Sequence, residues 1–257
     1  MIINHRYRFI FLKTKKTAGT SVEIALSQYC GPDDIVTRLG SKDEPKRTEL
    51  GYQGPVNYLV PRSEWTDRDR AKHLRHAAHR LKRSLMGKEI NLRKEVSYYN
   101  HMPAEEVLAR IGPDTWNGYF KFCFERNPWD RAISAYFWEN RNRKRMPDFY
   151  GFLQRMQHEG KLSNFETYAI DGKIAVDEVL LFERLPAELG RLPGLLGLPG
   201  PLALPRTKQQ FRRDRRPYQE FYSPRERDYV AEVCSREIAA FGYQFDALPA
   251  GEAGPPR

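Results

Sequence analysis

The feature that most constrains this chain is a pairing of segment types that occurs twice. "YRFIFLKT" (residues 7–14) is a short apolar run rich in aromatic and β-branched residues, and the following "TSVEIALSQY" (20–29) carries Val22, Ala25, Leu26 and Tyr29 at helical spacing. "YFKFCFE" (119–125) repeats the strand-like run, and in "RNPWDRAISAYFW" Trp129, Ala132, Ile133, Tyr136 and Phe137 fall at i, i+3, i+4, i+7 and i+8. The start of that second helix is well signalled, with Asn127 as N-cap, Pro128 at the first helical position and Asp130 three after the cap. A third strand is expected at "DEVLLFERL" (177–185), and a last helix opens with "SPRE" at Ser223 and runs through Tyr229, Val230, Val233 and Ile238. Strands alternating with helices imply an α/β fold, a mostly parallel sheet with helices on both faces.

A chain of 257 residues with 40% hydrophobic residues supplies one core of that size and does not require a second. We expect one domain over residues 1–248, a basic insertion around 40–100, and a disordered Pro/Gly-rich tail at 249–257. Within the insertion, residues 62–94 hold eleven Lys/Arg, four acids and three histidines, which suits either a solvated helix face or a docking surface for an anion. His73, His76 and His79 drift around such a helix with no carboxylate or cysteine partner, so no metal site is expected. Cys30, Cys123 and Cys234 lie far apart without metal-ligand spacing and read as reduced core thiols. The net charge of +10 points to an anionic partner without choosing among nucleotide, polyanion and membrane surface. The N-terminus turns basic too soon for an export signal, and residues 185–205 are broken by Pro and Gly too often to form a spanning helix. A soluble, cytoplasmic protein without a transmembrane segment is expected.

The loop between the first strand and helix, "KTKKTAGTS", is an anion loop in inverted order. A nucleoside-triphosphate loop needs glycines on both sides and a lysine directly after the second. Here the lysines precede Gly19, and the hydroxyls Thr20 and Ser21 open the helix. Backbone N–H groups from Ala18 to Ser21 would still point at an anion at the helix N-terminus, with Lys16 adding a charge. The second unit repeats the arrangement: Arg126 precedes the cap, and Ser134 falls off the apolar stripe on the flank it shares with Asp130. For Arg126 the alternative is an ion pair with a neighbouring carboxylate, and for Ser134 a tolerated surface serine.

Together, "KKTAGTS" and "RNPWDRAISAY" resemble the two signature segments of the sulfotransferase family that uses 3′-phosphoadenosine 5′-phosphosulfate (PAPS), most closely its carbohydrate-type branch. The resemblance implies a P-loop-NTPase-like fold in which Lys16, Thr17, Ala18, Gly19, Thr20 and Ser21 hold the 5′-phosphosulfate, and Arg126 and Ser134 the 3′-phosphate. It further implies Lys208, Arg212 and Arg213 as basic residues that close the 3′-phosphate site, a PAP product, no metal requirement, and an acceptor side formed in part by the 40–100 insertion. Lys15 stands where proline is usual in the family. Lys16 is the expected catalytic cation, because charge accumulates on the oxygen leaving sulfur. His101 is the expected general base, with a histidine bonding a carbonyl as the alternative, and Glu23, Glu105 and Glu183 as lesser candidates. Glu23 is expected on the surface of the first helix. A carbohydrate or glycoconjugate acceptor is expected from the resemblance and from Trp116, Tyr119, Trp138, Phe149 and Tyr150, which could stack on sugar rings. The rivals are a small-molecule kinase, which the missing glycines disfavour, and a basic nucleic-acid-binding protein, which leaves both loops unexplained.

Overall fold

The computed structural model describes residues 1–61, 63, 65, 67, 70, 71, 74, 97–205 and 216–246. Most of the basic stretch 62–94, with His73, His76 and His79, lies outside the described residues, as do Lys208, Arg212, Arg213 and the tail. In chain order the elements are β1 (Ile2–Asn4), β2 (Phe9–Leu12), α1 (Gly19–Ser27), β3 (Ile35–Val36), α2 (Glu44–Glu49), α3 (Ala104–Gly118), β4 (Phe120–Glu125) and α4 (Pro128–Glu139). There follow α5 (Phe149–His158), α6 (Phe165–Tyr168), β5 (Ala169–Ile170), β6 (Lys173–Ile174), β7 (Glu178–Leu181), α7 (Leu185–Leu196), α8 (Pro224–Val233) and α9 (Ser235–Phe241).

The main sheet has five strands in the order β3-β1-β2-β4-β7. β2 pairs in parallel with β4, Phe11 opposite Phe122, and β4 in parallel with β7, Phe124 opposite Leu180. β1 is antiparallel to both β2 and β3, so four strands run one way and β1 alone runs against them.

The two-residue alternation of the strands divides the core in two. On one face Phe9, Phe11, Phe122 and Phe124 pack against Val22, Ala25 and Leu26 of α1 and Leu192 and Leu196 of α7. On the other, Ile10, Leu12 and Cys123 pack against Ala104, Val107 and Trp116 of α3 and Phe165 and Tyr168 of α6. Each such fully buried Phe or Leu side chain contributes about 1.5–3 kcal/mol relative to exposure. A third cluster, built on Trp129, Ile133, Phe152, Met156 and Val230, joins α4, α5 and α8.

The caps form as the sequence implies. Asn127 Oδ1 accepts from the N–H groups of Trp129 and Asp130 at 3.1 and 3.4 Å, and Glu226 accepts from the Ser223 N–H at 2.7 Å. The last helix differs from expectation: it breaks at Cys234 into α8 and α9. Cys123 and Cys234 are buried and Cys30 half-buried, all as free thiols. No described helix is long and apolar enough to cross a membrane. Because β2 and β4 are parallel neighbours, the loops leaving their carboxyl ends emerge side by side, which is where ligands bind in open α/β sheets.

Candidate active site

The loop after β2 is tied into the sheet by its hydroxyls. Thr14 donates to the Phe124 carbonyl on β4 and shares a 2.8 Å hydrogen bond with Thr17. The Thr17 hydroxyl therefore faces inward toward Thr14, leaving its backbone N–H as the group it offers to the loop's concave side. Lys16 and Ala18 adopt left-handed backbone conformations, with φ of 63° and 58°. For L-residues this costs on the order of 1–2 kcal/mol each. Such kinks turn successive N–H groups toward one point, and α1 adds the N–H groups of its first turn. The Ala18 carbonyl closes the loop onto the helix by accepting from Ser21 and Val22 at 2.9 and 3.2 Å. Thr20 is half-buried and Ser21 buried at the start of α1.

Gly19 is required by close approach. A Cβ there would lie 2.8 Å from Lys13 Cγ. Lys13 cannot give way, since it is buried with its Nζ 2.7 Å from Glu23 and 3.2 Å from Asn100 Oδ1.

Glu23 contradicts its expected surface position. It is fully buried, with Lys13, the α-amino group of Met1 at 3.0 Å, Arg47 at 3.8 Å and the Thr37 hydroxyl at 2.9 Å around it. Burial alone would push its carboxyl up, but Lys13, the α-amino group and Arg47 outweigh that and hold it at about 2. A carboxylate so engaged neutralises its neighbours and is withdrawn as a candidate base.

His101 lies beside the same loop. Its Nδ1 is 2.8 Å from the Lys13 carbonyl, which can only accept, so Nδ1 carries the proton and Nε2 the lone pair. Burial, together with the Lys13 and Lys15 cations, lowers its proton affinity to about 3. The structural alternative is thus realised, and the same carbonyl bond selects the tautomer a base needs.

Arg126 also realises its alternative. Its Nε and Nη2 donate to Asp130 Oδ2 at 2.8 and 2.6 Å. Yet its Nη1 donates to the Lys16 carbonyl at 3.1 Å, and its guanidinium lies 4.2 Å over the Phe182 ring. One side chain therefore joins the two anion-competent helix starts. Ser134 is half-buried one turn beyond Asp130 on α4. Glu183 accepts from the Asn127 N–H at 2.6 Å and so holds the α4 start, while burial pushes its carboxyl up. Glu105 is exposed on the first turn of α3.

Of the five aromatics expected near an acceptor, Trp138 stands at the site: Lys16 Nζ is 4.7 Å from its ring centre and the Arg141 guanidinium 4.0 Å. Trp116 is core, Tyr119 bonds His5 at 2.7 Å, Phe149 packs on Tyr136 and Tyr222, and Tyr150 packs on Tyr229. Asn164, which the sequence did not mark, also reaches the loop and links it to Glu125. The Lys15 N–H donates to Asn164 Oδ1 at 3.0 Å, and Asn164 Nδ2 donates to Glu125 at 3.1 Å. A proline at position 15 could not make the first bond. A cavity of about 650 Å³, lined by His5, Arg6, Tyr7, Tyr29, Cys30 and Asp34 among others, lies at the other end of β2 and holds none of the expected site residues. No group of three or more His, Cys, Asp and Glu among the described residues is placed to hold a metal.

The model of the sulfotransferase family matches residues 1–244. An uncharacterized protein from Archaeoglobus fulgidus is 31% identical over 108 residues, spanning 38% of this chain and 84% of that protein. Among solved structures, a sulfotransferase from Alicyclobacillus acidocaldarius is 19% identical with a TM-score of 0.44, over 93% of this chain and 96% of that one. Retinol dehydratase in complex with androsterone and inactive cofactor PAP is 13% identical with a TM-score of 0.42, over 96% of this chain and 85% of that one.

Proposed function

The chain belongs to the sulfotransferase family, and on that premise we propose that it moves a sulfuryl group from PAPS to an acceptor hydroxyl by in-line displacement, leaving PAP. The observation that carries the assignment of residues is the 3.1 Å contact between Arg126 Nη1 and the Lys16 carbonyl. It brings two anion-competent helix starts within reach of one side chain, which suits a nucleotide with phosphates at both its 3′ and 5′ ends.

Lys16, Ala18, Gly19, Thr20 and Ser21, with the Thr17 backbone, hold the 5′ end. Arg126 and Ser134 hold the 3′-phosphate, Arg126 by exchanging the Lys16 carbonyl for a phosphate oxygen at Nη1 while Asp130 keeps its other donors. Lys208 and Arg212 complete that end on the family pattern. The donor supplies an electrophilic sulfur and a leaving phosphate of low basicity. The Lys16 ammonium, now over Trp138, moves a few ångströms to meet the charge that grows on the leaving oxygen, so its interaction is stronger in the transition state than in the ground state. His101 Nε2 accepts the proton of the acceptor hydroxyl. Its proton affinity, low in the free protein, rises when negative phosphates approach. A carbohydrate hydroxyl is the acceptor this reading favours, with Trp138 as the ring that a sugar stacks on once Lys16 has moved.

The test is thermal stabilisation by PAP without added metal, compared with ATP and Mg²⁺. PAP at about 100 times its dissociation constant should add about 2.7 kcal/mol. Equal or larger stabilisation by Mg-ATP points to a kinase instead. Transfer of labelled sulfuryl to oligosaccharide but not to phenolic or lipid acceptors supports the carbohydrate assignment.

A further inference from the structure

Asn164 lies between α5 and α6, fully buried, in a segment no motif marks. Its carboxamide treats the Lys15 peptide as a neighbouring strand would: Oδ1 accepts the Lys15 N–H at 3.0 Å and Nδ2 donates to the Lys15 carbonyl at 3.1 Å. Nδ2 also donates to Glu125 Oε1 at 3.1 Å, and that oxygen accepts the Arg126 N–H at 2.9 Å. The segment itself is anchored by Glu237, which accepts from the Asn164 N–H at 3.0 Å and from the Ser163 hydroxyl at 2.5 Å. A continuous hydrogen-bonded path, buried at its centre, therefore runs from the residue before Lys16, through Asn164 and Glu125, to the backbone of Arg126.

We propose that Asn164, acting through Glu125, is a positioning residue that sets the spacing between the two anion sites of the donor. The proposal rests on the sulfuryl-transfer reading above. A donor anchored at both ends is bound tightly only when both anchors are already in register, so a loosened tie weakens binding of the whole nucleotide. The bond-making step, which depends on Lys16 and His101, is left intact once the donor is seated. The tie should thus appear in donor KM and PAP affinity, and far less in kcat.

Glu125 gives this a signature that simple loss of packing would not. It is surrounded by Arg131 of α4, Tyr168 of α6, Glu237 of α9, Asn164, Lys15 and Arg126, and its Oε2 has no hydrogen-bond partner among the described residues. Burial pushes its carboxyl up to about 7 against the pull of Arg131. Asn164→Asp would set a second carboxyl beside it, and the pair would share a proton at low pH and repel at high pH.

The experiment compares wild type, Asn164→Ala and Asn164→Asp by PAP calorimetry, donor-saturation kinetics and amide exchange of the ligand-free loop. Asn164→Ala should raise PAP Kd and donor KM by about tenfold or more, with kcat changed by less than about twofold. Asn164→Asp, which keeps the shape, should lie closer to wild type at pH 6 than at pH 8. A fall in kcat at unchanged KM, or a pH-independent Asp variant, overturns the proposal. If wild type itself binds no PAP, the sulfuryl-transfer reading fails separately. The Lys15 amide then still decides the tie: faster exchange in Asn164→Ala supports it, and unchanged exchange refutes it.

Discussion

Glu23→Gln keeps the shape of a buried side chain and removes its charge, leaving Lys13 and Arg47 facing a neutral amide. Two independent scales give the cost. Holding the carboxyl at about 2 instead of its ordinary 4.5 corresponds to about 3 kcal/mol at neutral pH. Removing one partner from a buried ion pair costs about 3–5 kcal/mol. For a chain of this size that lowers Tm by roughly 10 °C. The assay is urea unfolding of both proteins across pH. Because the folded carboxyl binds its proton more weakly than the unfolded one, its stabilising effect is complete above about pH 4.5 and is lost as pH falls through about 2. The stability difference between wild type and variant should therefore be present at pH 7, persist through the region near 5 where the buried α-amino group of Met1 takes up its proton beside Glu23, and be lost as pH falls through about 2. A difference under about 0.5 kcal/mol at pH 7, typical of a surface charge, would refute the buried network, as would a gap that does not narrow in acid.

The remaining predictions concern the two ends of the donor and the base. Lys16→Ala should depress kcat by about 10²- to 10³-fold with a smaller effect on PAP binding, whereas Arg126→Ala should raise donor KM by the equivalent of about 1.5–3 kcal/mol with kcat at saturation changing less. The reverse pattern in saturation kinetics would show that the 5′ and 3′ ends have been assigned to the wrong loops. His101 in the free protein should be neutral throughout pH 5–8, because its folded proton affinity lies near 3; its ring resonances should not move over that range. His101→Ala should lose about 10²-fold or more in kcat with PAP affinity near wild type, and near-normal turnover would leave the histidine a structural part.

What was legible in the sequence was what local chemistry determines. The strand runs at 7–14 and 119–125, the Asn127 cap and the Ser223–Glu226 box depend on residues a few positions apart, and all formed. The burial of Glu23 has no local signature, because it depends on cations brought in by distant segments: Lys13 from the end of β2, Arg47 from α2. Asn164 carried no signal, since an isolated asparagine in a connecting segment reads as turn chemistry until its peptide partner is known. Arg126 was legible as a charge but not as a bridge, because the Asp130 pair is local and the Lys16 carbonyl is not. The four aromatics other than Trp138 engage core neighbours or other rings, and composition alone does not separate such packing from a platform for a sugar.

The tie between Lys15 and Asn164 spans 149 residues of sequence, and that between Lys16 and Arg126 spans 110. During synthesis this loop is made well before the groups that give it shape, which follow more than a hundred residues later. Closing a loop of that length costs on the order of 4 kcal/mol in chain entropy beyond a constant, and the local hydrogen bonds, Thr14 with Thr17 and Ser21 and Val22 with the Ala18 carbonyl, contribute only about 1 kcal/mol each. The left-handed kinks at Lys16 and Ala18 therefore have no reason to persist in a nascent chain. The loop gains its shape only once β4 has docked beside β2 and the segment carrying Asn164 has closed over it, which makes long-range pairing of the sheet the step that sets when the two anion-competent helix starts first stand together.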